Sequence, residues 1–118
     1  MDQKEIEKRY NELVRKIEEM RMYDGRGTVD AYVCKNCNHV MYTTYKDKGV
    51  TPFTTRCRHC GTGTMVHKET YAKNAIPSYI HVKNWYRPTL EQTIAFSKKS
   101  PALVEHILNG GLILEDEA

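Results

Sequence analysis

Apolar residues recur at Ile6, Tyr10, Leu13, Ile17 and Met20, in alternating steps of four and three, with Glu, Lys and Arg between them. That spacing predicts an amphipathic helix over residues 2–22, packed against the rest of the chain or onto another protein rather than paired with itself, with Val14 widening its stripe. Glu5–Arg9 and Glu12–Lys16 stand at i, i+4, where opposite charges support the polar face. Asp24-Gly25-Arg26-Gly27 should end the helix as a turn and hinge, with Gly25 suited to a left-handed C′ position. Four stretches then read as an antiparallel ribbon: 29–33, 40–45, 50–56 and 64–72. The second is rich in Tyr, Thr and Val, Lys46-Asp47-Lys48-Gly49 makes the following turn, and Pro52 confines the third to an edge or an irregular start. A short strand is expected over 79–82. Thr89 and Gln92 match a capping box opening a helix whose Leu90 and Ile94 face inward. Ser100-Pro101 opens a second helix as N-cap and N1, with Leu103, Val104, Ile107 and Leu108 as its buried stripe. Gly110 is placed as a Schellman glycine with Leu112 docking back, 112–114 as a strand or extended tail, and the acidic end as loose.

Into this pattern fall Cys34-Lys35-Asn36-Cys37 and, nineteen residues later, Cys57-Arg58-His59-Cys60-Gly61. Two Cys-x-x-Cys pairs at that separation are a specific metal signal, and they use all four cysteines of the chain. Thiolate ligands suit one tetrahedral Zn2+ at ~2.3 Å from each sulfur. Each pair lies in a turn between strand-like segments, where backbone N–H groups can point at the sulfurs and offset their charge. Gly61 lets the backbone turn without a Cβ clash.

Composition makes the metal structural. At 118 residues the chain has room for one domain, organised as helix and hinge (1–28), metal ribbon (29–72) and a C-terminal segment with two short helices and an acidic tail (73–118). Two Phe and one Trp against eight Tyr make a thin core, and a small thin core needs a staple. The charged start and the lack of a long apolar run point away from a secretory signal and from a membrane. A reducing, cytoplasmic setting follows, in which paired cysteines hold metal rather than form disulfides. Residues 31–110 carry eleven Lys/Arg against four Asp/Glu, so positive charge sits on the metal-binding body and a polyanion is the expected partner.

The two knuckles on paired hairpins resemble the zinc-ribbon superfamily over roughly residues 29–72, which implies an α+β zinc ribbon with an N-terminal amphipathic helix and two short C-terminal helices. Val50-Thr51-Pro52-Phe53, Trp85-Tyr86-Arg87-Pro88 and His106-Ile107-Leu108-Asn109-Gly110-Gly111-Leu112 are similar to small zinc-ribbon proteins of bacteria and their tailed phages. This second resemblance assigns no functional residue. It implies the cytoplasm of a bacterium or phage-infected host, or a virion.

Four cysteines close the coordination sphere, whereas a catalytic zinc keeps an open position. His39 or His59 would reopen it only by displacing a cysteine. No phosphate loop, nucleophile elbow or His-Glu-x-x-His occurs, and His67, His81 and His106 are scattered. The expectation is a non-enzyme without a small-molecule substrate. Nucleic acid is the first candidate ligand, through Lys35, Arg56, Arg58, Lys68, Lys73, Lys83, Trp85 and Arg87: cations would track phosphates and aromatic rings would stack on bases. The alternative is a structural or protein-interaction subunit, such as a phage assembly or host-binding factor, in which the 2–22 helix docks on a partner or self-associates.

Overall fold

The computed structural model describes residues 1–17, 19 and 25–115. Met20 and Asp24 of the expected seam and hinge, and the end of the acidic tail, lie outside the described residues. Helix α1 spans Gln3–Ile17. A six-stranded sheet follows in the order β3-β4-β1-β2-β5-β6, built from β1 (Thr28–Cys34), β2 (Val40–Tyr45), β3 (Thr54–Arg56), β4 (Thr64–Ala72), β5 (Val82–Tyr86) and β6 (Ile113–Leu114). Helices α2 (Leu90–Phe96) and α3 (Pro101–Leu108) lie between β5 and β6. The fold is mixed α+β, and among the described residues no helix is long and apolar enough to cross a membrane.

The β1–β2, β1–β4 and β3–β4 pairs are antiparallel. The third expected strand, 50–56, is confined to Thr54–Arg56, and Val50 instead bridges Gly111. The sheet runs beyond the four expected strands, because β5 pairs in parallel with β2 and β6 antiparallel with β5. Residues 73–81 therefore carry the chain from β4 past β1 and β2 to the far side of the sheet. The strand foreseen at 79–82 begins at Val82 and runs on through Trp85.

Alternation puts Tyr32, Met41, Tyr45, Met65, Trp85 and Leu114 into one apolar cluster with Leu112, Cys34 and Cys57. Trp85 is only 2% exposed. A second cluster joins Ile6 of α1 to Val104 and Leu108 of α3, with Tyr10, Leu90, Ile94 and Phe96 packed around it. The Ile6 and Tyr10 part of the α1 seam is thus covered by α2 and α3 of the same chain, while Leu13 and Ile17 are also buried. Tyr10 Oη donates to the Pro88 carbonyl at 2.6 Å, and Arg9 grips both oxygens of Glu105 at 2.9 Å. Val14 does not widen the stripe: it sits outside the helix–helix contact and is 47% exposed.

Local signals fix the short helices. Thr89 Oγ1 accepts from Gln92 N while Gln92 Oε1 accepts from Thr89 N, completing the capping box. Ser100 caps α3, with Pro101 in the first turn. At its other end Gly110 adopts φ +94°, Gly110 N–H reaches Ile107 O at 3.0 Å and Gly111 N–H reaches His106 O at 2.8 Å, which is the Schellman pattern. The chain leaving α3 pairs with Val50: Val50 N–H donates to Gly110 O and Leu112 N–H to Val50 O.

Ile6→Ala should lower unfolding free energy by about 2–4 kcal/mol, since it opens a cavity at a closed helix–helix contact, whereas Val14→Ala should change it by less than about 0.5 kcal/mol. Urea denaturation of the two variants beside the parent checks this contrast.

Candidate metal centre

The turns between β1 and β2 and between β3 and β4 are built alike. In the first, Cys34 N–H donates to His39 O at 2.9 Å and Asn38 N–H to Cys34 O at 3.0 Å. In the second, Cys57 N–H donates to Gly63 O at 2.9 Å and Gly61 N–H to Cys57 O at 3.0 Å. One position past each second cysteine the backbone turns left-handed, at Asn38 (φ +61°) and Gly61 (φ +78°), the residue types that tolerate it. Lys35 N–H bonds Thr64 O at 3.0 Å and holds the two turns together.

This construction brings four free cysteine sulfurs within 4.8 Å of one another. Cys34 Sγ lies 3.8 Å from Cys60 Sγ, and Cys37 Sγ lies 3.7 Å from Cys57 Sγ. Those separations are too long for disulfides. They fit a tetrahedron around one ion, because bonds of ~2.3 Å at tetrahedral angles place sulfurs ~3.8 Å apart. Cys34, Cys37, Cys57 and Cys60 can therefore hold one metal ion. Neither His39 nor His59 joins the group. Both are exposed, and their rings stack on each other at 4.3 Å and 8°.

Backbone amides set the electrostatics. Asn36 N–H and Cys37 N–H approach Cys34 Sγ at 3.3 and 3.4 Å, Cys60 N–H approaches Cys57 Sγ at 3.5 Å, and Gly63 N–H approaches Cys60 Sγ at 3.2 Å. The amides of Thr62 and Gly63 hold the Cys60 thiol down to about 5, and those of Cys37 and Asn36 lower Cys34. Cys37 receives help from the His39 amide, yet burial and the three neighbouring sulfurs push it up to about 12. Four sulfurs this close share their negative charge unevenly, and a cation held among them would take the place of the protons that remain.

Gly63 and Asn36 complete the site, although the spacing rules point only to the cysteines and Gly61. Asn36 Nδ2 reaches Cys60 Sγ at 3.7 Å, from the opposite turn. A Cβ on Gly63 would fall 2.4 Å from Cys34 Sγ and 3.0 Å from Cys60 Sγ, so only glycine lets this backbone lie against the sulfurs. The Gly-Thr-Gly wording after Cys60 carries that signal.

The expected nucleic-acid residues separate. Lys35, Arg56 and Lys68 are exposed, and Lys35 and Lys68 line one cleft of about 270 Å³ beside Cys34. Arg58 is half-buried and donates to Thr55 Oγ1 and Arg56 O at 2.7 and 2.6 Å. Lys73 is exposed in a single 3-10 turn just beyond the end of β4 away from the cysteines, and Lys83 is half-buried on β5. Trp85 does not offer a stacking face, because it is part of the sheet core. Arg87 is half-buried and turned inward: its amide donates to Asp47 Oδ2 at 2.8 Å and its guanidinium to Lys48 O. Desolvation lowers the Arg87 pKa, with the nearby Asp47 partly restoring it.

Gly63→Ala should weaken metal binding by about tenfold or more, because a sulfur must move to admit the methyl group. Gly61→Asn, which copies Asn38, should bind within about threefold of the parent. Competition with a chromophoric chelator measures both, and equal affinities for the two variants would refute the role given to Gly63. Searches against protein-family models, curated proteins and solved structures find no match to this chain.

Proposed function

We propose that the chain is a non-catalytic zinc-ribbon module whose metal shapes a binding surface. The observation that carries this reading is the closed quartet of sulfurs 3.7–3.8 Å apart in the two cross-strand contacts. The soft thiolates favour zinc, and four protein ligands fill its coordination sphere. The metal then has a structural task, since Cys34 and Cys57 are fully buried and belong to the larger apolar cluster. Removing the ion with a chelator, or Cys57→Ser, should abolish the single cooperative melting transition, read by circular dichroism. A metal-free protein with an unchanged transition would overturn the structural role.

The surface beside the metal favours a polyanion, and nucleic acid is the partner we assign to it. Lys35, Arg56 and Lys68 are exposed around the cysteine turns, and Arg58 is held among them by its bonds to Thr55 and Arg56. With Trp85 and Arg87 committed to the interior, the contact rests on phosphates rather than on stacked bases, and it is sequence-tolerant. Docking through α1 has less support, because Ile6 and Tyr10 of its seam pack against α2 and α3 and Leu13 and Ile17 are already buried.

Fluorescence anisotropy with short duplex and single-stranded oligonucleotides, as a function of salt, tests the assignment. Each lost phosphate contact lowers the slope of log K against log salt by about 0.9 on duplex DNA, so Lys35→Ala with Lys68→Ala should remove about two units of slope. Lys98→Ala with Lys99→Ala, exposed in the turn after α2, should leave it unchanged. No binding at low salt, or a double variant at Lys35 and Lys68 with the parent slope, would refute the assignment.

A further inference from the structure

Asp30 lies in the middle of β1, on the face that carries Tyr32, and is only 4% exposed. A carboxylate so deep needs partners. Its Oδ1 has them: Thr70 Oγ1 donates at 2.6 Å and His67 Nε2 lies at 3.1 Å. Among the described residues its Oδ2 receives no hydrogen bond, and the side chain keeps 6% of its exposure. Asp30 instead lines a cleft of about 200 Å³, walled by Tyr32, Tyr45, Pro52 and Phe53, with Thr51, Thr70 and the His67 ring that pairs with Asp30 on its polar side. Phe53, at 80% exposed, stands out into solvent.

The polar groups of this cleft have largely spent their protons inward. Tyr32 Oη donates to Pro52 O at 2.7 Å, Thr70 Oγ1 donates to Asp30, and Tyr45 Oη and Thr51 Oγ1 share a bond of 2.8 Å. What the cleft offers a ligand is chiefly lone pairs, aromatic surface and a carboxylate oxygen. A ligand that fits must bring N–H donors and positive charge, because an anion would be repelled by Asp30, and aromatic rings attract cations to their faces. The volume suits a head group and falls short of the ~300 Å³ at which drug-sized pockets begin.

We propose that this cleft binds a small organic cation, an alkylammonium or guanidinium head, with one N–H on Asp30 Oδ2 and the charge against the aromatic wall. The cation comes either as a free amine or as the end of a lysine or arginine side chain on a partner protein. The site is independent of the metal reading and takes a ligand of sign opposite to a polyanion.

The test is an amide NMR titration of the full-length, metal-loaded protein at low salt with n-butylammonium and methylguanidinium. Capped Gly-Lys-Gly and Gly-Arg-Gly peptides form the second arm, and n-butanol is the neutral control. Expected are shifts at residues 29–33, 51–54 and 66–71 with a Kd of about 1 mM for the cations and none for n-butanol. Asp30→Asn should raise that Kd at least about tenfold, and Phe53→Ala, at a site too exposed to affect folding, about fivefold. Tighter binding of the peptides supports a partner side chain, and tighter binding of the free cations supports a small amine. Equal shifts with n-butanol, parent-like affinity in Phe53→Ala, or no shift at 20 mM cation would overturn the proposal.

Discussion

The ends of β1 and β3 are joined by sulfur. Four cysteines from two distant turns converge on a point that protons alone fill poorly, because neighbouring thiolates repel and neighbouring thiols leave charge-seeking amides unanswered. A central ion held by the four sulfurs would resolve the conflict and fix where β1 and β2 stand relative to β3 and β4. Everything built on that face inherits the fixed geometry. Tyr32, Met41 and Met65 pack directly behind the buried cysteines, and Trp85 and Leu114 complete the cluster from the strands added later in the chain.

The two turns share their backbone path as far as the left-handed step, after which the second runs one residue longer before it closes on its first cysteine. Asn38 and Gly61 solve the same left-handed step with the two residue types best able to do so. The two part at Gly63, whose missing Cβ lets its amide come close to Cys60 while Asn36 reaches across from the other turn. The site thus depends on a small, unequal surround, which a count of ligands does not reveal.

Where the determinants are local, the sequence was readable. The cysteine spacing, the capping box at Thr89–Gln92, the Ser100-Pro101 start and the Gly110 stop each act over a few residues and appear as read. Strands 40–45 and 64–72 were legible for the same reason, as the outgoing arms of tight turns. Failures fall on non-local pairings. Trp85 reads as an exposed aromatic among cations until the crossover carries it against Tyr45. Val14 looks like part of a stripe until α2 and α3 choose which side of α1 to cover. His67 seems isolated because its partner, Asp30, comes from another strand of the same sheet and is 37 positions away.

The parallel pairing of β5 with β2 also orders the folding of the chain. β1–β2 and β3–β4 unite neighbours in sequence through turns of a few residues, so their closure entropy is small. β5 must instead find β2 after a detour through residues 46–81, and β6 can pair only once β5 is in place. Long-range pairing of this kind is slow to nucleate. All four metal ligands precede residue 61, so a chain still emerging from a ribosome carries the complete ligand set before β5 exists. The cysteine-bearing half is then the template, and the C-terminal half is the part that has to find it.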